Sequence, residues 1–190
     1  MRITGGQLRG RVLPAKVASG VRPTSGRVRE ALFSMIGQDL AGVTILDAFG
    51  GSGLLSFEAV SRGAMVTTVE RQRTAAKAIR ANASQLGVKI DLRIGDVRAV
   101  LASGTWDVVL MDPPYADDPV EWVAEATSAV EQLLVIEHRS AHGMPTQVGG
   151  LQLERSKRYG DSALTIYRRR ADPELDEADV VAEDLAVVEG

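Results

Sequence analysis

Apolar, β-prone runs and helical patterns alternate five times along this chain, joined by short connections. The runs are VTILDAFG (43–50), MVTTVE (65–70), KIDLRIGD (89–96), WDVVLMDPPY (106–115) and QLLVIEH (132–138). Between them lie LLSFEAVSRG (54–63), RTAAKAIRANASQLG (73–87), a short stretch to about Ala102, and DPVEWVAEATSAV (118–130), which read as helices. This alternation predicts an α/β fold: a parallel sheet covered by helices on both faces, with right-handed crossovers. LQLERSKRYG (151–160) and SALTIYRRR (162–170) read as a closing antiparallel hairpin. The connection RSAHGMPTQVGG (139–150) is too short and too rich in Gly and Pro for a full helix. In such sheets ligands bind beyond the carboxyl ends of the strands, near the switch in strand order. The chemistry is therefore expected at Asp47 to Gly53, Glu70, Asp96 and Asp112 to Tyr115.

At 190 residues, with 45% hydrophobic and 25% charged residues, the chain fits one globular domain. Cys is absent and there are two His, which argues against disulfides, thiolate chemistry and a zinc site. No apolar run has the length of a membrane span, and MRITGGQLRG lacks the apolar core of a signal peptide, so a cytoplasmic protein is expected. A monomer without metal is the accompanying expectation. Charge is uneven. Up to position 170 there are 22 basic and 17 acidic residues, whereas the last 20 residues carry 8 acids and no base. Seven bases and one acid, Glu30, occupy the first 30 residues. Three segments are expected: a basic hairpin arm (1–21), the catalytic domain (22–170) and an acidic tail (171–190), disordered or loosely helical. Within the second, Thr24 or Ser25 can cap a helix from about Arg27 to Ile36. The basic arm has the charge of a polyanion-binding element. A merely solvated face is the alternative.

Two motifs carry the chemistry. In LDAFGGSG (46–53), Gly50, Gly51 and Gly53 separate a strand from a helix, where glycines let the backbone turn and approach a ligand closely. Glu70 ends the next strand and can accept from both hydroxyls of a ribose. Asp96 ends the third strand and can accept from an adenine amine. Together these describe an adenosine-containing ligand; the alternative is that the glycines only turn the chain and the acids only cap helices. The dinucleotide fingerprint is incomplete, because Ser56 stands where Gly or Ala belongs. In the second motif, Asp112-Pro113-Pro114-Tyr115, the prolines fix the backbone and remove two N–H donors. A carboxylate, backbone carbonyls and an aromatic face remain. That set suits a planar base with an exocyclic amine: the acceptors hold the NH2 group and aim its lone pair at an electrophile. Tyr115 is expected to stack on a base taken out of its helix or loop. A rigid strand exit with Tyr115 as packing is the alternative.

LDAFGGSG, Glu70, the GDV at 95–97 and the DPPY at 112–115 resemble the class I S-adenosylmethionine-dependent methyltransferases acting on amino nitrogens. More closely, ITGGQLRGRVLP (3–14), RPTSGRVREALFSMI (22–36) and KRYGDSALTIY (157–167) resemble the bacterial family that methylates guanine N2 in 16S ribosomal RNA of the small subunit. The resemblance covers about residues 1–170. It implies a Rossmann-like, seven-stranded, mostly parallel sheet with one helix reduced. It implies S-adenosylmethionine as cofactor: the loop Asp47, Phe49, Gly50, Gly51, Ser52 and Gly53 on its methionine part, Glu70 with Arg71 on the ribose, Asp96 and Val97 around the adenine. By the same resemblance Asp112, Pro113, Pro114 and Tyr115 are expected to hold the target guanine. The resemblance also implies that Arg22, Pro23 and Thr24 sit over the active site, on cofactor or RNA, and that Arg9, Arg11, Lys16, Arg27 and Arg29 meet phosphates of the RNA partner. Many relatives have Ala at Gly51 and Gly at Ser56, departures that touch cofactor affinity and no reacting group.

Other readings explain less. A hydrolase triad of Ser52, Asp112 and His138 fails because Leu54 occupies the Gly position of a nucleophile elbow. A nicotinamide-dependent oxidoreductase shares only the glycine loop and Glu70, and a non-catalytic RNA-binding protein leaves DPPY unexplained. A DNA adenine-N6 or protein glutamine-N5 methyltransferase would use the same DPPY site, although the short length argues against a separate DNA-recognition domain. Trp106 and Trp122 read as packing residues, His138 and His142 as strand-end and loop residues.

Overall fold

The structure, a computed structural model, describes residues 1–13 and 26–170. The expected roles of Lys16, Arg22, Pro23 and Thr24, the boundary at 21/22 and the acidic tail lie outside the described residues. The elements are α1 (Gly26–Ile36), β1 (Thr44–Asp47), α2 (Leu54–Ser61), β2 (Met65–Glu70), α3 (Arg73–Leu86), β3 (Asp91–Ile94), α4 (Val97–Leu101), β4 (Trp106–Met111), α5 (Pro119–Ala126), β5 (Val130–Arg139), β6 (Gln147–Val148), β7 (Leu151–Tyr159) and β8 (Ser162–Arg169). One sheet runs β3-β2-β1-β4-β5-β8-β7-β6. Its first five strands are parallel, and β8, β7 and β6 join antiparallel. Eight strands exceed the expected seven by the two-residue β6, which forms inside the Gly- and Pro-rich connection by pairing Gln147 and Val148 with the start of β7. The strand order reverses between β1 and β4, which places the switch point beside Asp47 and Asp112.

Both faces of the sheet are covered, so the central strands are apolar almost throughout. On one face Val28, Leu32 and Phe33 of α1 and Leu55 and Ala59 of α2 pack on Ile45, Leu110, Val135 and Ile166. On the other, Val97 and Leu101 of α4 and Trp122 and Val123 of α5 pack on Leu46, Val109, Ile136 and Tyr167. Among the described residues no helix is long and apolar enough to cross a membrane.

The expected N-terminal hairpin is a tight loop closed by a single antiparallel bridge between Arg2 and Val12. It docks on the end of α2. Ile3 and Leu13 enter a small core with Leu54, Phe57 and Ile79. The Leu8 N–H donates to Ser61 Oγ (2.8 Å), which itself donates to the Gly5 carbonyl (2.6 Å). Gly6 holds φ +71, and a Cβ there would collide with the Ser61 carbonyl, so the chain can press onto the helix only with glycine at this position. Under this loop lies Glu58, which is fully buried. Its Oε1 accepts from Arg29 Nε (2.8 Å), the Thr4 N–H (2.8 Å) and Thr4 Oγ1 (2.9 Å), and its Oε2 accepts from Arg62 Nη1 (2.5 Å). Arg29 also donates to the Arg2 carbonyl (3.1 Å). The expectation of a phosphate contact at Arg29 is thereby corrected: its side chain is 7% exposed and paired inside the protein with Glu58. Arg9, Arg11 and Arg27 are exposed.

Candidate active site

A cleft of about 1060 Å³ opens across the carboxyl ends of the parallel strands. Of the expected site residues, Phe49, Gly51, Glu70, Arg71, Asp96, Val97 and all four of Asp112, Pro113, Pro114 and Tyr115 line it. Asp47, Gly50, Ser52 and Gly53 are not among its lining residues; they shape the loop from within. Gly50 crosses β2 so closely that a Cβ would meet Thr68 Cγ2 at 2.7 Å and the Val69 carbonyl at 3.1 Å. Ser52 Oγ accepts from the Leu54 N–H (3.3 Å) at the start of α2.

Asp47 is 1% exposed, and burial raises its carboxyl to about 6 against the hydrogen bonds of Ser56 and the backbone. Ser56 Oγ donates to Asp47 Oδ2 (2.5 Å), so the bond between Ser56 and Thr68 Oγ1 (2.7 Å) must be donated by Thr68. The departure at Ser56 thus supplies Asp47 with a donor. Glu70 holds the loop from the other side: Oε2 accepts from the Gly51 N–H (2.7 Å) and Oε1 from the Gln72 N–H (2.6 Å). Each oxygen keeps a second lone pair for a ligand hydroxyl. Asp96 is exposed and caps α4 by accepting from the Arg98 N–H (2.9 Å). Cap and ligand acceptor are compatible roles for a carboxylate with two oxygens.

The apolar wall of this end is Phe49, Val97 and Trp122. Phe49 and Trp122 meet edge to face with centroids 5.0 Å apart, and Arg98 covers the Trp122 ring at 4.4 Å while pairing with Glu125 (2.8 Å). Trp122, expected as packing, is 6% exposed and belongs to the core, yet it also lines the cleft. An acceptor at the end of β2, a carboxylate after β3 and an aromatic–aliphatic wall suit the ribose and adenine of an adenosine-containing cofactor. The volume exceeds what one such molecule needs.

The other end of the cleft is built from β4, β5 and the β7–β8 turn. Pro113 is buried and Pro114 exposed. Tyr115 is tethered: its hydroxyl lies 2.6 Å from Ser162 Oγ and donates to Glu137 Oε1 (3.3 Å). Burial chiefly, with the carboxylates of Glu137 and Asp112, pushes the phenol above its ordinary value, so it stays protonated. The Arg139 guanidinium covers the ring at 5.0 Å. Glu137, Tyr159 and Ser162 line this end and were not singled out from sequence. Glu137 obeys the same rule as the acids that were, since it lies near the carboxyl end of a parallel strand. Tyr159 and Ser162 flank a turn whose place beside β5 depends on the antiparallel entry of β8.

The whole arrangement has counterparts. Residues 1–168 match the family model described as "Conserved hypothetical protein 95". The chain is 33% identical to "Ribosomal RNA small subunit methyltransferase D" of Escherichia coli (strain K12), over 93% of each chain. It is 31% identical to "Putative rRNA methyltransferase YlbH" of Bacillus subtilis (strain 168), over 90% of this chain and 100% of the relative. The solved structure "Putative methyltransferase yhhF from Escherichia coli" superposes with a TM-score of 0.79 at 32% identity, covering 90% of this chain and 99% of that one.

Proposed function

Because this chain belongs to the Conserved hypothetical protein 95 family, we propose that it transfers a methyl group from S-adenosylmethionine to the exocyclic N2 of a guanine in 16S ribosomal RNA. The observation that carries the reading is one continuous cleft with one end suited to a nucleoside and another lined by carboxylates and an aromatic ring. Glu70, Asp96 and the Phe49–Trp122 wall form the first, and Asp112 to Tyr115 the second. The names of the Escherichia coli and Bacillus subtilis relatives support ribosomal RNA as the substrate class.

Glu70 accepts the ribose hydroxyls, Val97 and Phe49 flank the adenine, and Asp96 takes its amine. The loop around Gly51 adjoins the methionine part. When bound, S-adenosylmethionine supplies an electrophilic methyl on a sulfonium that leaves as a neutral thioether, which asks no strong general acid of the protein. Asp112 and the Pro113 carbonyl accept hydrogen bonds from the N2 amine, draw its lone pair out of ring conjugation and fix its direction, and the one N2 proton given up on methylation passes to Asp112 or to water. Tyr115, held by Ser162 and Glu137, presents its ring edge or face to the base. Arg9, Arg11 and Arg27 are exposed and meet RNA phosphates.

The test is transfer from labelled S-adenosylmethionine to small ribosomal subunits lacking the modification, with nucleoside analysis. Label in N2-methylguanosine is the expected result. Label in DNA adenine or a protein glutamine offered in the same assay would keep the cleft chemistry and overturn the RNA assignment. No label and no cofactor binding would overturn the methyltransferase reading.

A further inference from the structure

We infer that Glu137 is the residue by which this cleft selects guanine. Its carboxylate accepts the guanine N1–H while Asp112, one strand over, accepts from N2. The inference rests on the target base proposed above. Glu137 is 7% exposed yet lines the target end of the cleft. In the parallel pairing of β4 with β5, Met111 stands opposite Ile136. Glu137 follows Ile136 within β5, and Asp112 directly follows Met111 at the end of β4, so two acids from neighbouring segments line the same end of the cleft. The guanine edge offers two donors of the right kind in a row, N1–H and the N2 amine. Adenine offers an amine next to a bare N1 acceptor, which would face the Glu137 carboxylate and leave both groups without a proton.

The side chain is also aimed. The Tyr115 phenol donates to Glu137 Oε1 (3.3 Å) and is oriented by Ser162 (2.6 Å). One oxygen of Glu137 is thereby fixed from the protein side, which sets the direction of the carboxylate before the base arrives. Preset geometry is what lets a polar site reject an analogue lacking one hydrogen-bonding proton, by factors of about 10⁴ in the most selective cases.

2-Aminopurine keeps the 2-amino group and lacks the N1 proton. The test uses the full-length enzyme and small subunits reconstituted with ribosomal RNA carrying either guanine or 2-aminopurine at the accepting position. The readout is the ratio of kcat/KM for guanine to that for 2-aminopurine. The wild-type enzyme should favour guanine by roughly a hundredfold or more. In E137Q the amide can donate to a bare N1, so the ratio should fall by at least about tenfold. Cofactor Kd should stay within about twofold of wild type, because Glu137 lies at the other end of the cleft. A residue that only props the site open would lower both substrates together. An unchanged ratio in E137Q, or wild-type rates equal on the two bases, overturns the inference. Should E137Q fail to bind cofactor, the same ratio in Y115F carries the test: a lowered ratio supports the aiming of Glu137 and an unchanged one overturns it. Absence of methylation of guanine by the wild-type enzyme is a separate outcome and overturns the proposed function itself.

Discussion

Replacing Glu58 by Gln tests whether a buried charge cluster holds the N-terminal loop on α2. Glu58 is fully buried and accepts from two guanidinium groups and from the backbone and hydroxyl of Thr4. The side chains of Arg29 and Arg62 are 7% and 2% exposed. Gln keeps the shape and one acceptor, but turns an NH2 group toward one of its cationic partners and removes the charge that two buried cations share. Breaking a buried pair in this way costs about 3–5 kcal/mol, a large part of the roughly 5–15 kcal/mol that holds a domain together. In a protein of this size the expected fall in Tm is about 6 to 20 °C. Urea unfolding followed by the fluorescence of Trp106 and Trp122, both in the core, measures the loss. The pH dependence adds a second constraint. Burial raises the Glu58 carboxyl, but its bonds with Arg62, Thr4 and Arg29 outweigh burial and hold it below 4.5. A depressed carboxyl contributes stability above its unfolded value and loses it as pH falls through the folded one. The gap between wild type and E58Q should therefore hold from pH 8 to about 5 and close below 4.5. A loss under about 1 kcal/mol, the range of an exposed pair, would refute the reasoning.

Asp47 should show the opposite sign. Its carboxyl is raised from 3.8 to about 6 by burial, so the folded state favours the protonated form and loses about 3 kcal/mol as pH rises from 4 to above 6. D47N should therefore gain stability over wild type at pH 8 and match it below pH 4 in the same urea titration; an equal offset at both pH values would exclude the ionisation argument. D112A should abolish methyl transfer and leave cofactor Kd unchanged in calorimetry, and equal loss of both would remove the division between the two ends of the cleft. E70A should weaken cofactor binding by about 1–3 kcal/mol, since a charged acceptor is lost and the Gly51 and Gln72 N–H groups it holds are released. Replacing Arg9 and Arg11 together should weaken RNA binding and lower its logarithmic salt slope by roughly 1.4 to 1.8, and an unchanged slope would take the arm off the phosphates.

What could be read from the sequence follows from which interactions are local. The strand ends were legible because buried parallel strands are continuous apolar runs, and a Gly, Asp or Glu at the end of such a run stands out. Asp112 to Tyr115 and Glu70 were found that way, and the same rule would have reached Glu137 had it been applied to the fifth strand. Arg29 was misread because hydropathy cannot say which cation of a basic stretch faces inward. That was decided by Glu58, 29 positions away, and by the glycine pair that lets residues 4–8 lie on α2. Glu58 draws its partners from three places, Thr4 of the N-terminal loop, Arg29 of α1 and Arg62 at the end of α2, and of these only Arg62 is its neighbour in sequence. Tyr115, Glu137 and Ser162 come from three separate stretches of chain and meet only because β8 inserts between β5 and β7. Their meeting changes the role of the tyrosine. From sequence Tyr115 was a free stacking platform; in the fold its hydroxyl is engaged and Arg139 covers the ring. Base selection therefore shifts from the aromatic ring, which stacks on any base, to the carboxylates beside it, which accept only from a base that offers protons.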